Sequence, residues 1–455
     1  MPRAVKRPYA RDPLRHPDNA SVNAPPRVHD GQRQVVPPTK PRLLALLGPG
    51  LITGASDDDP SGIATYSQAG AQLGFSISWT MLLTYPLMTA VQEISARIGR
   101  TSGIGIAGNI RRHYPMWLAQ TLVGLLFVAN TINIGADLGA MGDAVRLLAG
   151  GPSLLYAIAF GVSCAVLQIL LQYTRYVSVL KWLALLLFSY FAALATIRLP
   201  WAEIARGLLL PRLTADPRFW ATLVAILGTT ISPYLFYWQS SQEAEDIKAV
   251  PEREPLVNKP LQAPNAHERI RIDTYIGMAF SNLVALAIIT TTAATLHAAG
   301  VTNIDTASQA AEALKPLAGT FAFALFALGI IATGLLSVPV LAGSAAYALG
   351  ETFKWRTGLR HPPRRARSFY TTIAVATMLG ASINISSLSP IKALYWSAVI
   401  NGVVAVPVLV VMMLMSANPL VMGRFTVTGA LRLIGWTATL VMAAAAVGLT
   451  LTAAM

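Results

Sequence analysis

The chain has 455 residues, of which 54% are hydrophobic and 12% charged, and its mean hydropathy is +0.52. Soluble globular domains carry about 25% charged residues, so this composition indicates a polytopic membrane protein. The net charge of +14 would suit a nucleic-acid-binding protein, but the basic residues lie between apolar segments and not in one domain. We therefore expect a lipid bilayer, and no nucleic acid, as the partner.

Residues 1–42 are polar, Pro-rich and basic and lack the apolar region of a signal peptide, so we predict a disordered cytoplasmic tail. Residues 43–455 are predicted to form one all-α membrane domain of about eleven transmembrane helices, since about 20 apolar residues cross a bilayer. The predicted spans are approximately 43–73, 76–98, 115–143, 153–172, 178–199, 217–241, 273–298, 317–350, 368–386, 388–414 and 428–453.

The first span is interrupted by three carboxylates and a proline, Asp57 to Pro60, among glycines and serines. Three ionised aspartates facing lipid would oppose insertion by roughly 8–10 kcal/mol, so they must face water, protein or a cation. Proline and glycine favour a broken helix, which a membrane tolerates only around a cavity. The break therefore predicts a cation site built from hard oxygens, and the alternative is an Asp-rich helix N-cap in an interfacial loop.

The third span contains Asn130, Asn133 and Asp137, and the tenth contains Asn401. An intramembrane carboxylate is a functional candidate by default. For Asp137 we keep a second interpretation open, that of a buried partner for an arginine near Arg365. The asparagines are more often packing groups than ligands.

The sixth span is interrupted in the same manner, by Gly228, Thr229, Thr230, Ser232 and Pro233. The alternative is an ordinary Pro-kinked helix. Two breaks whose spans start five helices apart predict two five-helix inverted repeats around a shared midplane site. The repeats would cover about 43–199 and 217–414, with an extra helix over 428–453.

Basic residues concentrate in alternate connections, which predicts a cytoplasmic N-terminus and an external C-terminus in the inner (plasma) membrane. The six histidines lie in tails, loops or near one helix end, and the single cysteine, Cys164, lies in an apolar run. No disulfide framework, zinc site or haem site can be assembled from them. The spans also contain no nucleophile-plus-base motif, which disfavours an enzyme.

With these motifs in place, the chain resembles the natural resistance-associated macrophage protein (Nramp) family of divalent metal transporters over about residues 47–446. The resemblance is most specific in four segments, with further matches at Asp137–Leu138 and Pro233. Those segments are Gly48–Gly50, Asp59–Pro60, Gln68–Phe75 and Gln92–Gly103. It implies the LeuT-type fold, with no cofactor and a metal ion as the transported substrate.

Departures from the family pattern are as informative as the matches. Where this chain has Gly62 and Ser232, the family has Asn and Met, and both bind the ion there. The family also uses the carbonyl at the position of Thr229. Its proton route uses a His and a Glu where this chain has Tyr234 and Ala140. A thioether favours soft ions, so its loss removes discrimination against Mg²⁺. Extra carboxylates and more room suit Mg²⁺, which keeps several of its waters.

The pattern resembles the Nramp-related magnesium transporter branch, and we predict a monomeric importer of Mg²⁺, and also Mn²⁺, without proton coupling. Candidate ion-binding positions at the two breaks are Asp59, Asp58, Gly62, Thr229 and Ser232. Possible secondary positions are Asp57, Tyr234, Asp137 and Asn401.

Three alternatives remain open. A proton-coupled importer of Mn²⁺ or Fe²⁺ with a rearranged hard site is the nearest one. An organic-solute symporter would pair a substrate amine with Asp59, and a membrane-embedded metalloenzyme would use the aspartates as metal ligands.

Overall fold

The structure is a computed structural model, and it describes Gly54 and residues 56–170, 188–385 and 389–453. Every regular element in these residues is a helix. The longer helices are α1 (Pro60–Leu73), α2 (Trp79–Ser102), α4 (Met116–Ala149), α5 (Ser153–Leu170), α8 (Pro217–Thr230), α9 (Pro233–Ala249), α10 (Ala263–Thr292), α13 (Ala322–Phe353), α14 (Arg367–Ile383), α15 (Pro390–Ser416) and α17 (Gly429–Ala453). Shorter helices connect them: α3 (Ile106–His113), α6 (Phe188–Thr196), α7 (Trp201–Leu209), α11 (Ala307–Glu312), α12 (Lys315–Ala318) and α16 (Pro419–Met422).

Seven helical segments within the described residues are long and apolar enough to cross a membrane. The segments are Met116–Ala149, Ser153–Leu170, Pro217–Lys248, Pro260–His297, Ala322–Phe353, Pro390–Ser416 and Gly429–Ala453. The second predicted span forms the 24-residue helix α2 but carries Glu93, Arg97 and Arg100. The tail over 1–42, the start of the first span and most of the fifth lie outside the described residues, so the number of eleven spans stays a prediction.

Several helices extend beyond their apolar runs. The seventh predicted span begins at Ala263 and not at 273, and the third ends at Ala149 and not at 143. At the start of α10, Arg269 forms an ion pair with Glu243 of α9. A polar helix end that is partnered by a neighbouring helix extends a span without changing its apolar length, which is why hydropathy misplaced the first of these boundaries. At the second, Asp143 and Arg146 form an ion pair within α4.

The core is built around α4, which packs along α13, α14, α15 and α5. The break between α8 and α9 divides their packing: α8 lies against α15 and α17, and α9 lies against α2 and α13. Hydrophobic residues at these contacts form one continuous buried cluster. The two halves of the interrupted helix are therefore held by different neighbours.

Helices α8 and α15 approach so closely that a glycine is required at their crossing. A Cβ atom built on Gly228 would lie 2.0 Å from the carbonyl oxygen of Ala398 and 2.5 Å from the amide nitrogen of Gly402. Both are backbone atoms, so neither can rotate away. The crossing fixes where the break after α8 lies relative to α15.

We expect Gly228→Ala to destabilise the protein by about 1–3 kcal/mol, because even one methyl group forces the two helices apart. The measurement is the melting temperature of the detergent-solubilised protein. The matched control is Gly124→Ala, since a Cβ at Gly124 meets nothing within 4 Å. Equal melting temperatures for the two variants would contradict this packing.

Candidate metal centre

The first break lies between two helical pieces of the first span. Gly54, Ser56 and Asp57 are helical, Asp58 and Asp59 are not, and α1 begins at Pro60 with Asp59 as its N-cap. One carboxylate oxygen of Asp59 (Oδ1) accepts hydrogen bonds from the Gly62 amide and the Ser61 hydroxyl, both at 2.7 Å. Asp59 therefore caps a helix, as the alternative of an N-cap in an interfacial loop predicted. It is only 1% exposed, however, so it lies inside the protein.

The other oxygen of Asp59 joins a polar chain across three helices. Asp59 Oδ2 accepts from Asn133 Nδ2 of α4 at 3.0 Å, and Asn133 Oδ1 accepts from the Ser397 hydroxyl of α15 at 2.7 Å. Asn133 was expected to be a packing residue, and the structure instead places it against the carboxylate. The available signal was the spacing of Asn130, Asn133 and Asp137, which puts all three on one face of α4.

Asp57 and Asp58 point to a different helix. The hydroxyl of Ser281 in α10 donates to Asp57 Oδ2 at 2.5 Å and lies 3.2 Å from Asp58 Oδ1. A hydroxyl has one proton, so it satisfies one of the two carboxylates at a time. Asp57 Oδ1 and Asp58 Oδ2 have no hydrogen-bond partner among the described residues, although both residues are fully buried. Sequence reasoning missed Ser281, since no local pattern distinguishes it.

The second break connects directly to the first. Helix α8 ends at Thr230 and α9 begins at Pro233, with Ser232 in an extended conformation between them. The hydroxyl of Tyr234 donates to the carbonyl oxygen of Ser56 at 2.8 Å. The structure thus brings the two predicted breaks together, with a tyrosine hydroxyl spanning them.

Three other predicted positions lie at this junction. The Ser232 hydroxyl donates to the carbonyl oxygen of Gly228 at 2.5 Å and lies 3.1 Å from that of Thr229, so it faces its own helix. A Cβ on Gly62 would lie 3.1 Å from the Asp57 carbonyl oxygen and 3.1 Å from the Thr229 hydroxyl oxygen. Gly62 therefore allows α8 to approach the first break closely, which corrects the expectation that it opens volume.

Asp137 lies further along α4 and is also fully buried. Its Oδ2 accepts from the Ser337 hydroxyl of α13 at 2.8 Å, and its Oδ1 has no partner among the described residues. No described arginine pairs with it, so the interpretation of Asp137 as a partner for an arginine near Arg365 is wrong. Asn401 is buried one helical turn from Ser397, with neither amide atom hydrogen-bonded to a described residue.

Four buried aspartates thus share this region of the described structure, and none lies within 4.0 Å of a described Lys, Arg or His nitrogen. Burying an unpaired carboxylate is costly, so protons or cations must balance the charge. Within the described residues, no three His, Cys, Asp or Glu side chains converge on one point. Asp57 and Asp58 face α10, whereas Asp59 faces α4, and this separates the candidate ligands.

Hydrogen bonds from the C-terminal half of α1 connect this helix to the elements around it. Gln72 Oε1 accepts from Thr222 of α8 at 3.1 Å, and Thr222 lies 3.0 Å from the Tyr395 hydroxyl of α15. Gln68 accepts from the Ile304 amide at 2.9 Å and donates to the Thr302 carbonyl at 3.1 Å. These contacts hold the C-terminal half of α1 against α8 and against residues 302–304.

We expect Asn133→Ala to destabilise the protein by about 1–3 kcal/mol, because it leaves a buried oxygen of Asp59 without its donor. Stability is measured by denaturation in detergent for Asn133→Ala, Ser397→Ala and the double variant. The double variant should lose less stability than the sum of the losses in the two single variants, since Ser397 and Asp59 are connected through Asn133. Strict additivity would contradict the chain of hydrogen bonds.

Comparison with known proteins identifies the family of this chain. Residues 50–452 match the family described as Natural resistance-associated macrophage protein-like (Nramp). A divalent metal cation transporter MntH of Klebsiella pneumoniae strain 342 is 29% identical over 409 residues, covering 86% of this chain and 90% of that protein. A protein of the same name from Yersinia enterocolitica is 30% identical over 317 residues, covering 67% and 72%.

Solved structures support the same fold. A crystal structure of the Eremococcus coleocola manganese transporter superposes with a TM-score of 0.69 at 17% identity, covering 89% of this chain and 85% of that chain. Mhp1, a nucleobase-cation-symport-1 family transporter in a closed conformation, gives 0.56 at 14% identity, covering 90% and 93%. At these identities the likeness concerns the fold alone, and it confirms the predicted LeuT-type architecture.

Proposed function

This chain belongs to the Nramp family of transporters, and from that premise we propose that it imports a divalent cation, Mg²⁺ in preference and Mn²⁺ as well, by alternating access and without proton coupling. The observation that carries the proposal is the group of buried carboxylates without basic partners where the two helix breaks meet. Membership in a transporter family excludes the membrane-embedded enzyme and requires no cofactor.

The preference for Mg²⁺ follows from the chemistry of the two breaks. Neither residues 54–62 nor residues 228–234 contain sulfur, and a site of hard oxygens without a thioether has no means of favouring soft ions over Mg²⁺. We assign Asp59 and Asp58 as the charged ligands, with the carbonyl of Thr229 and the hydroxyl of Ser232 as neutral ones. Gly62 lets Thr229 of α8 lie close to the first break.

The separation of the carboxylates fits an ion that arrives hydrated. Mg²⁺ usually binds through one or two carboxylates and keeps several waters. Asp59 has both oxygens engaged by Ser61, Gly62 and Asn133, whereas Asp57 and Asp58 each keep one oxygen without a partner. We propose that the ion bridges Asp59 and Asp58 through its own waters, with Asp57, Tyr234, Asp137 and Asn401 as possible secondary contacts.

The absence of proton coupling is inferred from the groups beside the site. Tyr234 and Ala140 stand where a proton route would use His and Glu, and the Tyr234 hydroxyl donates to a backbone carbonyl. A negative interior favours entry of a divalent cation by about 4.6 kcal/mol per 100 mV, so no coupling ion is required. The second candidate function is proton-coupled Mn²⁺ import. The manganese transporter among the similar solved structures is consistent with the ion, and the buried carboxylate of Asp137, bonded to Ser337, is a candidate proton carrier.

We place the protein in the plasma membrane as a monomer, with residues 1–42 in the cytoplasm and the C-terminus outside. The domain over 43–455 would then consist of repeats at about 43–199 and 217–414 and an extra helix at 428–453. Rocking of one repeat against the other would expose the site alternately to each side.

The first test is Asp59→Ala in proteoliposomes that contain purified protein, with Mg²⁺ and Mn²⁺ offered separately and the internal pH recorded. We expect Mg²⁺ uptake to fall at least tenfold, because one of the two proposed charged ligands is removed, and wild-type uptake to cause no acidification. The matched control is Asp305→Ala, an aspartate that is half exposed and paired with Lys392, and it should retain uptake. Wild-type Mn²⁺ uptake with acidification and no response to Mg²⁺ would overturn the proposal in favour of the proton-coupled importer.

A second test restores sulfur to the second break. Ser232→Met should raise the ratio of Mn²⁺ to Mg²⁺ uptake about tenfold, because a thioether binds Mn²⁺ better than Mg²⁺. The ratio is measured by competition in the same vesicles, with Ser232→Ala as the control for loss of the hydroxyl. An unchanged ratio in Ser232→Met would show that Ser232 does not face the ion.

A further inference from the structure

A cavity of about 470 Å³ lies away from the metal centre, among the ends of α9 and α13 and the helix α3. Binding pockets for drug-sized molecules have volumes of about 300–1,000 Å³, so this cavity is large enough for a nucleotide. Its wall includes Tyr347, Trp355 and the hydroxyl residues Ser241 and Thr357. The connections that form it follow the second, sixth and eighth predicted spans, all assigned to the cytoplasmic side.

Four basic residues line the cavity: Arg111, Arg112, Lys248 and Lys354. Lys248 pairs with Glu245 at 3.0 Å. Arg111, Arg112 and Lys354 form no ion pair with the described residues. Three cations that converge on one concave surface without partners attract an anion.

The two acidic residues of the wall are already engaged. Glu351 accepts hydrogen bonds from the Gly105 amide at 3.1 Å, the Gly108 amide at 2.9 Å and the Ser241 hydroxyl at 3.1 Å. It therefore caps α3 and leaves that helix end unavailable to a ligand. Glu245 is neutralised by Lys248, so the charge left over in the cavity is positive.

The backbone at Lys354 is an independent indication. Lys354 ends α13 with φ of +59°, and no other non-glycine residue in the described part of the chain has a positive φ. Glycine is the usual residue at this position of a helix, and a lysine there is strained. The structure therefore retains an unfavourable residue at a position that carries an ammonium group without an ion-pair partner among the described residues into the cavity wall.

An aromatic pair completes the cavity. Trp355 is 39% exposed, and its ring stacks on Phe353 with centroids 5.5 Å apart and an angle of 26° between the planes. An exposed indole face held by a second ring is a platform for a planar group such as a nucleobase, and guanidinium and ammonium groups bind phosphate.

From this arrangement we infer that the cavity binds a phosphate-bearing anion of about the size of a nucleotide, through Arg111, Arg112 and Lys354. Such an anion is also a ligand for Mg²⁺, so a site of this kind would report the divalent cation supply on the side where it lies. The inference depends on the cavity and its charges and not on the proposed transport activity.

The test measures binding of ATP to the full-length, detergent-solubilised protein by titration calorimetry in the presence of EDTA. We expect saturable binding that pyrophosphate competes for. Binding should weaken at least tenfold in Arg111→Gln/Arg112→Gln and in Lys354→Gly. The second variant suits the positive φ, so its melting temperature should equal or exceed that of the wild type and a loss of binding cannot be attributed to unfolding.

The matched control is Arg360→Gln/Arg364→Gln, which removes two exposed charges from the connection after α13 that are not in the cavity wall and should leave binding unchanged. A second arm uses nanodiscs of neutral lipid with or without phosphatidylglycerol. If phosphatidylglycerol displaces ATP and the cavity variants lower its retention, the phosphate belongs to a lipid headgroup, which supports the inferred chemistry. Absence of saturable binding of ATP, pyrophosphate and phosphatidylglycerol, or equal binding by the cavity variants and the control, would overturn the inference.

Discussion

Unpaired negative charge inside an apolar helical domain is the constraint on which the rest of this structure depends. Asp57, Asp58, Asp59 and Asp137 are all buried, and the described residues supply hydroxyl and amide donors to them but no basic side chain. Hydroxyl and amide donors stabilise a carboxylate without neutralising it. Protons or cations must therefore balance the charge of these aspartates. Their positions are set by the two helix breaks, the glycine at the α8–α15 crossing and the polar residues of α4.

The features that could be predicted from the sequence are those with a local physical cause. Pro60 and Pro233 lack an amide hydrogen and lie among glycines or hydroxyl residues, so both breaks were predictable, and so was the need to hide three aspartates from lipid. The helix boundaries at Ala263 and Ala149 were not, because their polar ends are stabilised by ion pairs, with α9 in the first case and within α4 in the second, that hydropathy does not consider. The different directions of the Asp58 and Asp59 side chains could not be predicted from the sequence either. Three successive residues in an unwound turn point in different directions, and the partner of two of them, Ser281, is more than 200 residues away in the chain.

The metal centre and the basic cavity illustrate two ways of using charge in the same domain. At the centre, donors from α4 and α10 hold Asp59 apart from Asp57 and Asp58. In the cavity, the two acids are engaged by backbone amides, a serine and a lysine, and the remaining cations line the wall. Only the first arrangement matches the family resemblance, and the second arises from residues at helix ends that lie outside the motifs shared with the family.

The hydrogen bond from Tyr234 to the Ser56 carbonyl has a consequence for the transport cycle. It joins the helical piece before the first break to the helix after the second, and it is one of several side-chain hydrogen bonds between the two predicted repeats, as are those of Ser281 to Asp57 and of Ser337 to Asp137. A carbonyl at a helix break is also a natural ligand for a cation. An ion that binds this oxygen meets the Tyr234 hydroxyl at the same atom, so occupation of the site would act directly on one of the contacts between the two helix breaks.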